Sequence, residues 1–252
     1  MAELIERPLK VAEDHYLLKI QTDESEQALP GHFINIRVSD STDPLVRRPF
    51  SIYNRQKDIL EIIIQVVGKG TSILCNAEPG PIDILGPLGK GFTLIEKGSA
   101  LLVGGGVGNA PLYFLARELK EKGIDVSYLY GSRSKDHIYC ADAFGSIADT
   151  FRVSTDDGST GHHGFVTTLL EEQLKKKTWN MVYTCGPTPM MAEVSRICGS
   201  STPVEVSLEN YFGCGIGLCV GCTVETDQGL KRACVDGPVM DGSLIKWDSL
   251  TH

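Results

Sequence analysis

The spacing of hydrophobic and polar positions changes twice along the chain and divides it into three regions. From residue 1 to about 97, short runs rich in β-branched residues are broken by turn residues, as at 33–38 and 60–67, with Pro-Gly pairs at 30–31 and 79–80. Short runs bounded by turn signals predict strands. Their spacing favours a small antiparallel β-barrel over residues 1–97.

A different pattern occupies residues 98–200. Residues 100–103 form a short apolar run typical of a strand buried in a parallel sheet. A glycine-rich stretch follows, then helical periodicity up to Gly123, which is placed to end the helix, and then a second strand. A further strand at 181–184 leads into a helix that begins near Thr188. The alternation predicts a doubly wound α/β domain.

The third region, residues 201–252, is rich in glycine and cysteine and lacks helical periodicity. A segment of this size builds little hydrophobic core of its own, so a bound metal centre would help it to fold. We therefore predict a small C-terminal domain organised by a metal group.

Composition narrows the possible functions. The 252 residues are 42% hydrophobic and 22% charged, as in an ordinary globular protein. A formal net charge of −8 argues against a nucleic-acid partner. No apolar run approaches the ~20 residues of a membrane span, and the first residues lack the pattern of a signal peptide. We expect a cytoplasmic protein without a membrane partner.

Four of the eight cysteines crowd into one short segment. The scattered four are interpreted as small buried hydrophobic residues: Cys75, Cys140, Cys185 and Cys198. The others follow a C-x4-C-x2-C pattern with a more distant fourth member, which is the plant-type ferredoxin spacing: Cys214, Cys219, Cys222 and Cys234. Glycines between them let backbone amides turn towards cluster sulfurs.

A zinc site with four cysteines is the alternative for this segment. Structural zinc sites commonly use two C-x-x-C pairs, whereas this segment contains one, and the x4 spacing is atypical for zinc. The spacing therefore favours a [2Fe–2S] cluster with Cys214, Cys219, Cys222 and Cys234 as ligands.

Glycine-rich sequence follows the strand at 100–103, at Gly104, Gly105, Gly106 and Gly108. Glycines there permit a tight turn and the approach of a pyrophosphate to a helix N-terminus. Taken alone, the turn fits a purely structural role as well as a nucleotide site. A second strand end, at Cys185, Gly186 and Pro187, favours the nucleotide site, because open α/β sheets bind ligands at the carboxyl ends of their strands.

These two strand ends resemble the nicotinamide-binding half of the ferredoxin–NADP reductase family. Residues 48–51, Arg-Pro-Phe-Ser, resemble its flavin motif arginine-x-tyrosine-serine, with phenylalanine in place of the tyrosine. Residues 68–71 resemble its phosphate-contacting element. With the cysteine segment added, the whole chain is similar to one branch of that family, the electron-transfer subunits of two-subunit, NAD-dependent dihydroorotate dehydrogenases.

The resemblance implies a set of FAD contacts. Arg48 would pair with a flavin phosphate, and Ser51 would hydrogen-bond the flavin ring near N5. The remaining motif residues are Pro49 and Phe50. The strand before the second element would line the flavin with Ile63, Ile64 and Gln65, and the element itself would hold the diphosphate through amides and a hydroxyl, at Gly70 and Thr71.

The resemblance also implies a division of labour. FAD exchanges two electrons with NAD and single electrons with the cluster, since the cofactors carry the chemistry. Dihydroorotate would be oxidised on a partner, an FMN-containing catalytic subunit, in a heterotetramer. Two alternatives remain: the reductase subunit of a ferredoxin-dependent NADP transhydrogenase or related complex, and a non-enzymatic regulatory module stabilised by zinc. Arg133, which could bind an NADP 2′-phosphate, stays unassigned.

Overall fold

The computed structural model describes residues 2–250 and begins with an antiparallel sheet. Strand β6 is buried over most of its length because its alternate side chains enter two different cores. The sheet order is β7-β1-β3-β6-β5-β4-β8, with β2 paired to β3. The elements of this region are β1 (Ala2–Leu4), β2 (Leu9–Ala12), β3 (His15–Thr22), β4 (Phe33–Ile36), β5 (Arg48–Gln56), β6 (Ile59–Gln65), α1 (Lys69–Cys75), β7 (Gly80–Pro81) and β8 (Ile84–Leu88).

The sheet curls around one apolar cluster. Alternate residues of β3, β4 and β6 enter this cluster, including Ile20, Ile34 and Ile62, all fully buried. Because side chains alternate across a strand, convergence of these inner faces on one core bends the sheet into a half-barrel. The path ends at β7 and β8, so the predicted barrel is an open, curled sheet.

The second unit is a mixed sheet flanked by helices. Strand order β12-β11-β10-β9-β13-β14 is parallel throughout and reverses direction of growth at β9, which confirms the doubly wound prediction. Its elements are β9 (Ser99–Gly105), α2 (Asn109–Glu121), β10 (Asp125–Ser132), α3 (Ala141–Ile147), β11 (Thr150–Thr155), β12 (His162–His163), α4 (Val166–Lys176), β13 (Met181–Cys185), α5 (Thr188–Cys198) and β14 (Val204–Ser207).

Helix α2 ends as its sequence predicts. Gly123 adopts a φ of +77° and donates its amide to the Lys120 carbonyl at 2.9 Å, while Ile124 donates to Leu119 at 3.0 Å. These two bonds are those of a Schellman cap. The buried face of α2 covers one side of the sheet, and α4 and α5 cover the other.

The described part of the C-terminal segment, up to residue 250, shares its core with the α/β unit. It contains the hairpin β15 (Thr223–Thr226) and β16 (Gly229–Arg232), followed by β17 (Val239–Asp241), which pairs antiparallel with β14. Phe212, Val224 and Ile245 pack into the core beneath α4 and α5. Because β14 belongs to the α/β sheet, we propose that the cluster segment begins after Ser207 rather than at 201.

The curled sheet and the α/β unit contact each other through both polar and apolar side chains. Arg117 on α2 donates to Asn54 Oδ1 at 2.6 Å and to the Arg55 carbonyl at 2.8 Å, both on β5. Tyr53 and Tyr113 stack across the same boundary with centroids 4.4 Å apart. Within residues 2–250, none of the helices has the length and apolar character that crossing a membrane requires.

Candidate cofactor and cluster sites

A cavity of about 820 Å³ opens at the carboxyl ends of the parallel strands. It lies at the point where the strand order reverses, between the turns that follow β9 and β13. This is the crevice in which open α/β sheets bind ligands. Its lining includes backbone from both turns, at Gly105, Gly106, Gly108, Gly186 and Pro187.

Three of the four predicted glycines lie close to neighbouring atoms, and at Gly108 those neighbours are backbone atoms. A Cβ at Gly104 would lie 2.0 Å from Asn109 Oδ1, at Gly105 2.5 Å from Met190 Sδ, and at Gly108 2.5 Å from the Gly186 nitrogen. Gly106 differs, since its φ is +55° and a Cβ there would meet nothing within 4 Å. The turn is therefore closely packed at Gly104, Gly105 and Gly108, although Gly105 and Gly108 also line the cavity, and it has open space beside its backbone at Gly106.

Cys185 is packed at the end of β13 rather than presented to the cavity. Its side chain is 1% exposed, and burial raises the pKa of its thiol well above the ordinary range. Gly186 and Pro187, which follow it, do line the cavity. Of the predicted Cys-Gly-Pro contact, only these two residues line the cavity.

The far end of the cavity carries charged residues that the sequence left unassigned or did not reveal. Arg133 bonds the His137 ring nitrogen at 2.9 Å, and both line the cavity together with Asp156. Partial burial raises the pKa of the Asp156 carboxyl. These residues follow β10 and β11. Their position directly after the carboxyl ends of two parallel strands was the sequence signal that could have indicated a place at the ligand cavity.

Two further cavity residues come from outside the α/β sheet. His15 belongs to the curled sheet, is 1% exposed and stacks on Tyr139 with centroids 5.2 Å apart. Glu209 lies at the beginning of the cluster segment. Desolvation raises the pKa of its carboxyl, although the residue is exposed where it lines the cavity. Neither has a local sequence signal, because each reaches the cavity only through tertiary packing.

The flavin-like motif occupies the beginning of β5, where Arg48, Pro49, Phe50 and Ser51 are all half-buried. The Arg48 side chain lies over α1, since a Cβ at Gly70 would be 3.0 Å from Arg48 Nε. The structure thus brings the two predicted phosphate-contacting elements together.

Thr71 has a different role from the predicted one. Its hydroxyl accepts from the amides of Val67 at 3.0 Å and Gly68 at 3.1 Å, and donates to the Gly68 carbonyl at 3.0 Å. A hydroxyl has one donor and two acceptor positions, so all three are used by the start of α1. A diphosphate contact here would fall to backbone amides rather than to this hydroxyl.

Only one of the three predicted flavin-lining side chains on β6 reaches the cavity. Ile64 is in the core of the curled sheet and Ile63 is in the core shared with α2, at 0% and 2% exposure. Gln65, which ends the strand, is half-buried and lines the cavity. The contacts proposed for this segment therefore rest on Gln65 and on backbone atoms.

The cysteine segment packs against the strand that pairs with the flavin-like motif. On β4, Phe33 pairs with Ser51 and Asn35 pairs with Pro49. Partners in an antiparallel ladder share a face of the sheet. Phe33 contacts Phe212 on that face with ring centroids 4.8 Å apart, so the cluster segment meets the strand that pairs with the flavin-like motif.

The cysteines lie as two pairs. The amides of Leu218 and Cys219 point at Cys214 Sγ from 3.3 and 3.4 Å. Backbone amides, chiefly those of Cys219 and Ile216, lower the pKa of the Cys214 thiol to about 6, and the Cys219 thiol bonds it as well.

The second pair is buried. Cys222 and Cys234 are each 1% exposed, and burial together with the Cys222 thiol raises the pKa of the Cys234 thiol to about 12. Across residues 2–250 no three His, Cys, Asp or Glu side chains converge as ligands of one metal ion. A [2Fe–2S] cluster needs two thiolates on each of two irons, and amide donors near a sulfur suit it, so the residues present fit that group.

Comparisons with known proteins agree with this geometry. Residues 209–246 match the iron–sulfur cluster binding domain of dihydroorotate dehydrogenase B, and residues 102–196 match the oxidoreductase NAD-binding domain. The electron transfer subunit of dihydroorotate dehydrogenase B (NAD(+)) from Desulforamulus reducens is 39% identical over 94% of this chain and 95% of its own. The chain belongs to this family. The same subunit from Bacillus velezensis is 42% identical over 83% of this chain and 84% of its own.

Solved structures extend the comparison. A structure of an NADH-dependent reduced ferredoxin-NADP oxidoreductase superimposes with a TM-score of 0.90 at 34% identity, covering 98% of this chain and 91% of that one. Phthalate dioxygenase reductase, at 18% identity and a TM-score of 0.58, covers 82% of this chain and 67% of that one and shows only the fold.

Membership of the dihydroorotate dehydrogenase B electron transfer family confirms three predictions. The fold class is as predicted, the protein is an electron-transferring oxidoreductase, and its cofactors are FAD, a [2Fe–2S] cluster and NAD. The cluster match includes all four clustered cysteines, and the NAD-binding match includes both turns at the strand ends. The individual residue contacts remain proposals.

Proposed function

We propose that this chain carries electrons from an FMN-containing dihydroorotate dehydrogenase catalytic subunit, through its [2Fe–2S] cluster and FAD, to NAD+ in pyrimidine biosynthesis. The proposed assembly is a cytoplasmic heterotetramer. Cys214, Cys219, Cys222 and Cys234 would hold the cluster, and the residues around Arg48 and Ser51 would hold the flavin. Gly106, Gly186 and Pro187 would present backbone to the nicotinamide nucleotide.

One observation carries the proposal: the cluster segment lies on the face of the sheet that bears the flavin-like motif. Phe212 contacts Phe33, whose ladder partner is Ser51. A cluster held there would be close to a flavin bound at Ser51, while the nucleotide cavity borders the same sheet through Gln65. One chain would thus join a one-electron site to a hydride-transfer site.

The exposed side of the cluster segment supports a protein partner. Leu218 is 79% exposed and Val220 60%, and both flank the exposed Cys219. Adjacent exposed apolar side chains of this kind mark interaction surfaces. Tyr211, 71% exposed, adds an aromatic side chain of the type enriched at interfaces.

The experiment tests the chain alone and then with its partner. Anaerobically purified protein should contain about two iron and two sulfide per chain, and NADH should bleach its flavin absorbance. Alone it should not oxidise dihydroorotate. Mixed with the FMN-containing subunit, it should support dihydroorotate-dependent reduction of NAD+. Failure of NADH to bleach a flavin-loaded sample would overturn the assignment.

A matched pair of variants tests the docking surface. Leu218→Asp places a charge in the proposed interface and should reduce coupled turnover at least tenfold, while NADH–dye activity remains. Leu9→Asp changes a leucine that is 56% exposed on β2, away from the cluster segment, and should leave both activities unchanged. Equal effects of the two variants would remove the interface from this surface.

The second candidate is the reductase subunit of a ferredoxin-dependent NADP transhydrogenase or related complex. The 34% identity to the NADH-dependent reduced ferredoxin-NADP oxidoreductase structure, over 98% of this chain, favours it. Pull-down from native extract distinguishes the two. Recovery of a ferredoxin-dependent, NADP-reducing subunit without a dihydroorotate-oxidising flavoprotein would select this candidate.

A further inference from the structure

A buried side-chain amide, that of Asn35, lies between the flavin-like strand and the cluster segment. Asn35 is 0% exposed in the middle of β4, paired with Pro49 on one side and with Leu85 on β8 on the other. Two residues away on the same face, Phe33 packs against Phe212. Asn35 is therefore a polar residue in an otherwise apolar contact between two cofactor sites.

The backbone of the first cluster cysteine is seated on this amide. Asn35 Nδ2 donates to the Cys214 carbonyl at 3.2 Å, a bond between residues 179 positions apart. A Cβ at Gly215 would lie 2.2 Å from the same Nδ2, and Gly215 has a φ of +74°. The loop thus crosses directly over Asn35, and glycine is required where it does so.

The other half of the amide has no partner. Asn35 Oδ1 is buried without a hydrogen bond to any described part of the chain. An unpaired buried acceptor is destabilising, and an apolar residue of similar volume would avoid that cost. The contact of Phe33 with Phe212 already holds the cluster segment against β4. The buried amide of Asn35 therefore needs a further explanation.

We propose, resting on the flavin and cluster sites of the proposed function, that Asn35 is a positioning residue for electron transfer between them. Its NH2 group fixes the Cys214 peptide against the strand paired with the flavin-like motif and directs the positive end of the amide dipole at the carbonyl of the first cluster cysteine. Hydrogen bonds and dipoles around a cluster set its reduction potential. The electron passes between the two cofactors, and Asn35 itself is neither oxidised nor reduced.

Two substitutions separate this role from simple packing. Asn35→Leu keeps the branched shape of the side chain, although it is larger, and removes the dipole. Asn35→Asp keeps the size and replaces the donor by a carboxylate. Less positive or more negative surroundings disfavour the reduced cluster. We expect the potential to fall in the order unmodified, Asn35→Leu, Asn35→Asp. Between the unmodified protein and Asn35→Leu, the equilibrium constant for electron transfer from flavin to cluster should fall about tenfold, which corresponds to 59 mV for one electron.

The readouts are an EPR-monitored redox titration of the cluster and stopped-flow traces of flavin and cluster reduction by NADH. In Asn35→Leu, iron, sulfide and flavin content and the rate of flavin reduction should match the unmodified protein, while cluster reduction slows. Phe212→Leu is the packing control, because it loosens the same contact without touching the amide, and its potential should not move.

An unchanged potential in a fully loaded Asn35→Leu protein would overturn the inference, as would an equal shift in Phe212→Leu. If Asn35→Leu does not retain its cluster, Asn35→Asp decides by the same criteria. Lack of iron and sulfide in the unmodified protein is a separate outcome, because it would refute the proposed function itself.

Discussion

Gly108 lies where the turn after β9 touches the end of β13, and its substitution should separate the two walls of the nucleotide cavity. Its φ of −63° suits any residue, so backbone freedom does not explain glycine here. A Cβ would lie 2.5 Å from the Gly186 nitrogen and 2.6 Å from the Cys185 carbonyl carbon and oxygen. These are backbone atoms of a buried strand end and cannot rotate away.

The magnitude follows from the distances. Relief of the clash in Gly108→Ala requires the two turns to separate by about 1 Å, since carbon contacts are comfortable from about 3.5 Å. Overpacking of this kind costs ~1–3 kcal/mol, and we expect the upper end because the contact is with backbone. For a chain of this size, about 3 kcal/mol lowers Tm by roughly 6–12 °C. NADH affinity should fall about tenfold, or ~1.4 kcal/mol.

Gly106→Ala is the matched control in the same turn. It meets nothing within 4 Å but has a φ of +55°, so it bears only the left-handed backbone cost of about 1 kcal/mol. Thermal unfolding of the flavin-loaded proteins measures the difference in stability, and NADH titrations compare Gly108→Ala with the unmodified protein, because Gly106 itself lines the nucleotide cavity. A Gly108→Ala protein as stable as Gly106→Ala would refute the claim that close contact selects glycine at 108.

Three other changes have definite expected results. Burial lowers the pKa of His15, so the unfolded chain binds a proton more readily than the folded protein, and stability falls as the pH drops below about 6.5. The variant His15→Gln should therefore have a Tm that changes less with pH between about 5 and 6.5. The control, His163→Gln at an exposed position, should not have this effect. Arg48→Leu should yield folded protein with much reduced FAD content, measured by absorbance after release; full occupancy would exclude the proposed phosphate contact. Arg117→Leu should cost about 2 kcal/mol in urea unfolding, because it leaves the Asn54 and Arg55 acceptors unpaired. The control, Arg152→Leu, removes a partly exposed ion pair and should cost under ~1 kcal/mol.

The α/β unit was the most predictable part of the fold because its signals are local. The apolar run within β9, the periodicity of α2 and the cap at Gly123 lie within about 25 residues of one another, and each element forms where expected. Strand β17 had no such signal. It is three residues long and is a strand only because β14 supplies its partners, so nothing near it in sequence predicts the pairing.

The same distinction separates predictable site residues from the rest. The cluster cysteines are mostly within one loop, so their spacing alone identified the group. Asn35 acquires its role from a contact with Cys214 across 179 positions, which no local pattern reveals. Thr71 shows the converse error: its motif predicted a phosphate contact, but the start of α1 uses every hydrogen-bonding position of its hydroxyl.

The unequal exposure of the four clustered cysteines follows from the different requirements of hydride transfer and single-electron transfer. A hydride passes only between groups in contact, so nicotinamide and flavin need a shaped cavity, and the chain builds one from two sheets. A single electron crosses a short gap without such contact, so the cluster needs only firm anchoring and a thin cover. Buried Cys222 and Cys234 would supply the anchoring, and exposed Cys219, beside Leu218, would leave the cover thin where a partner docks.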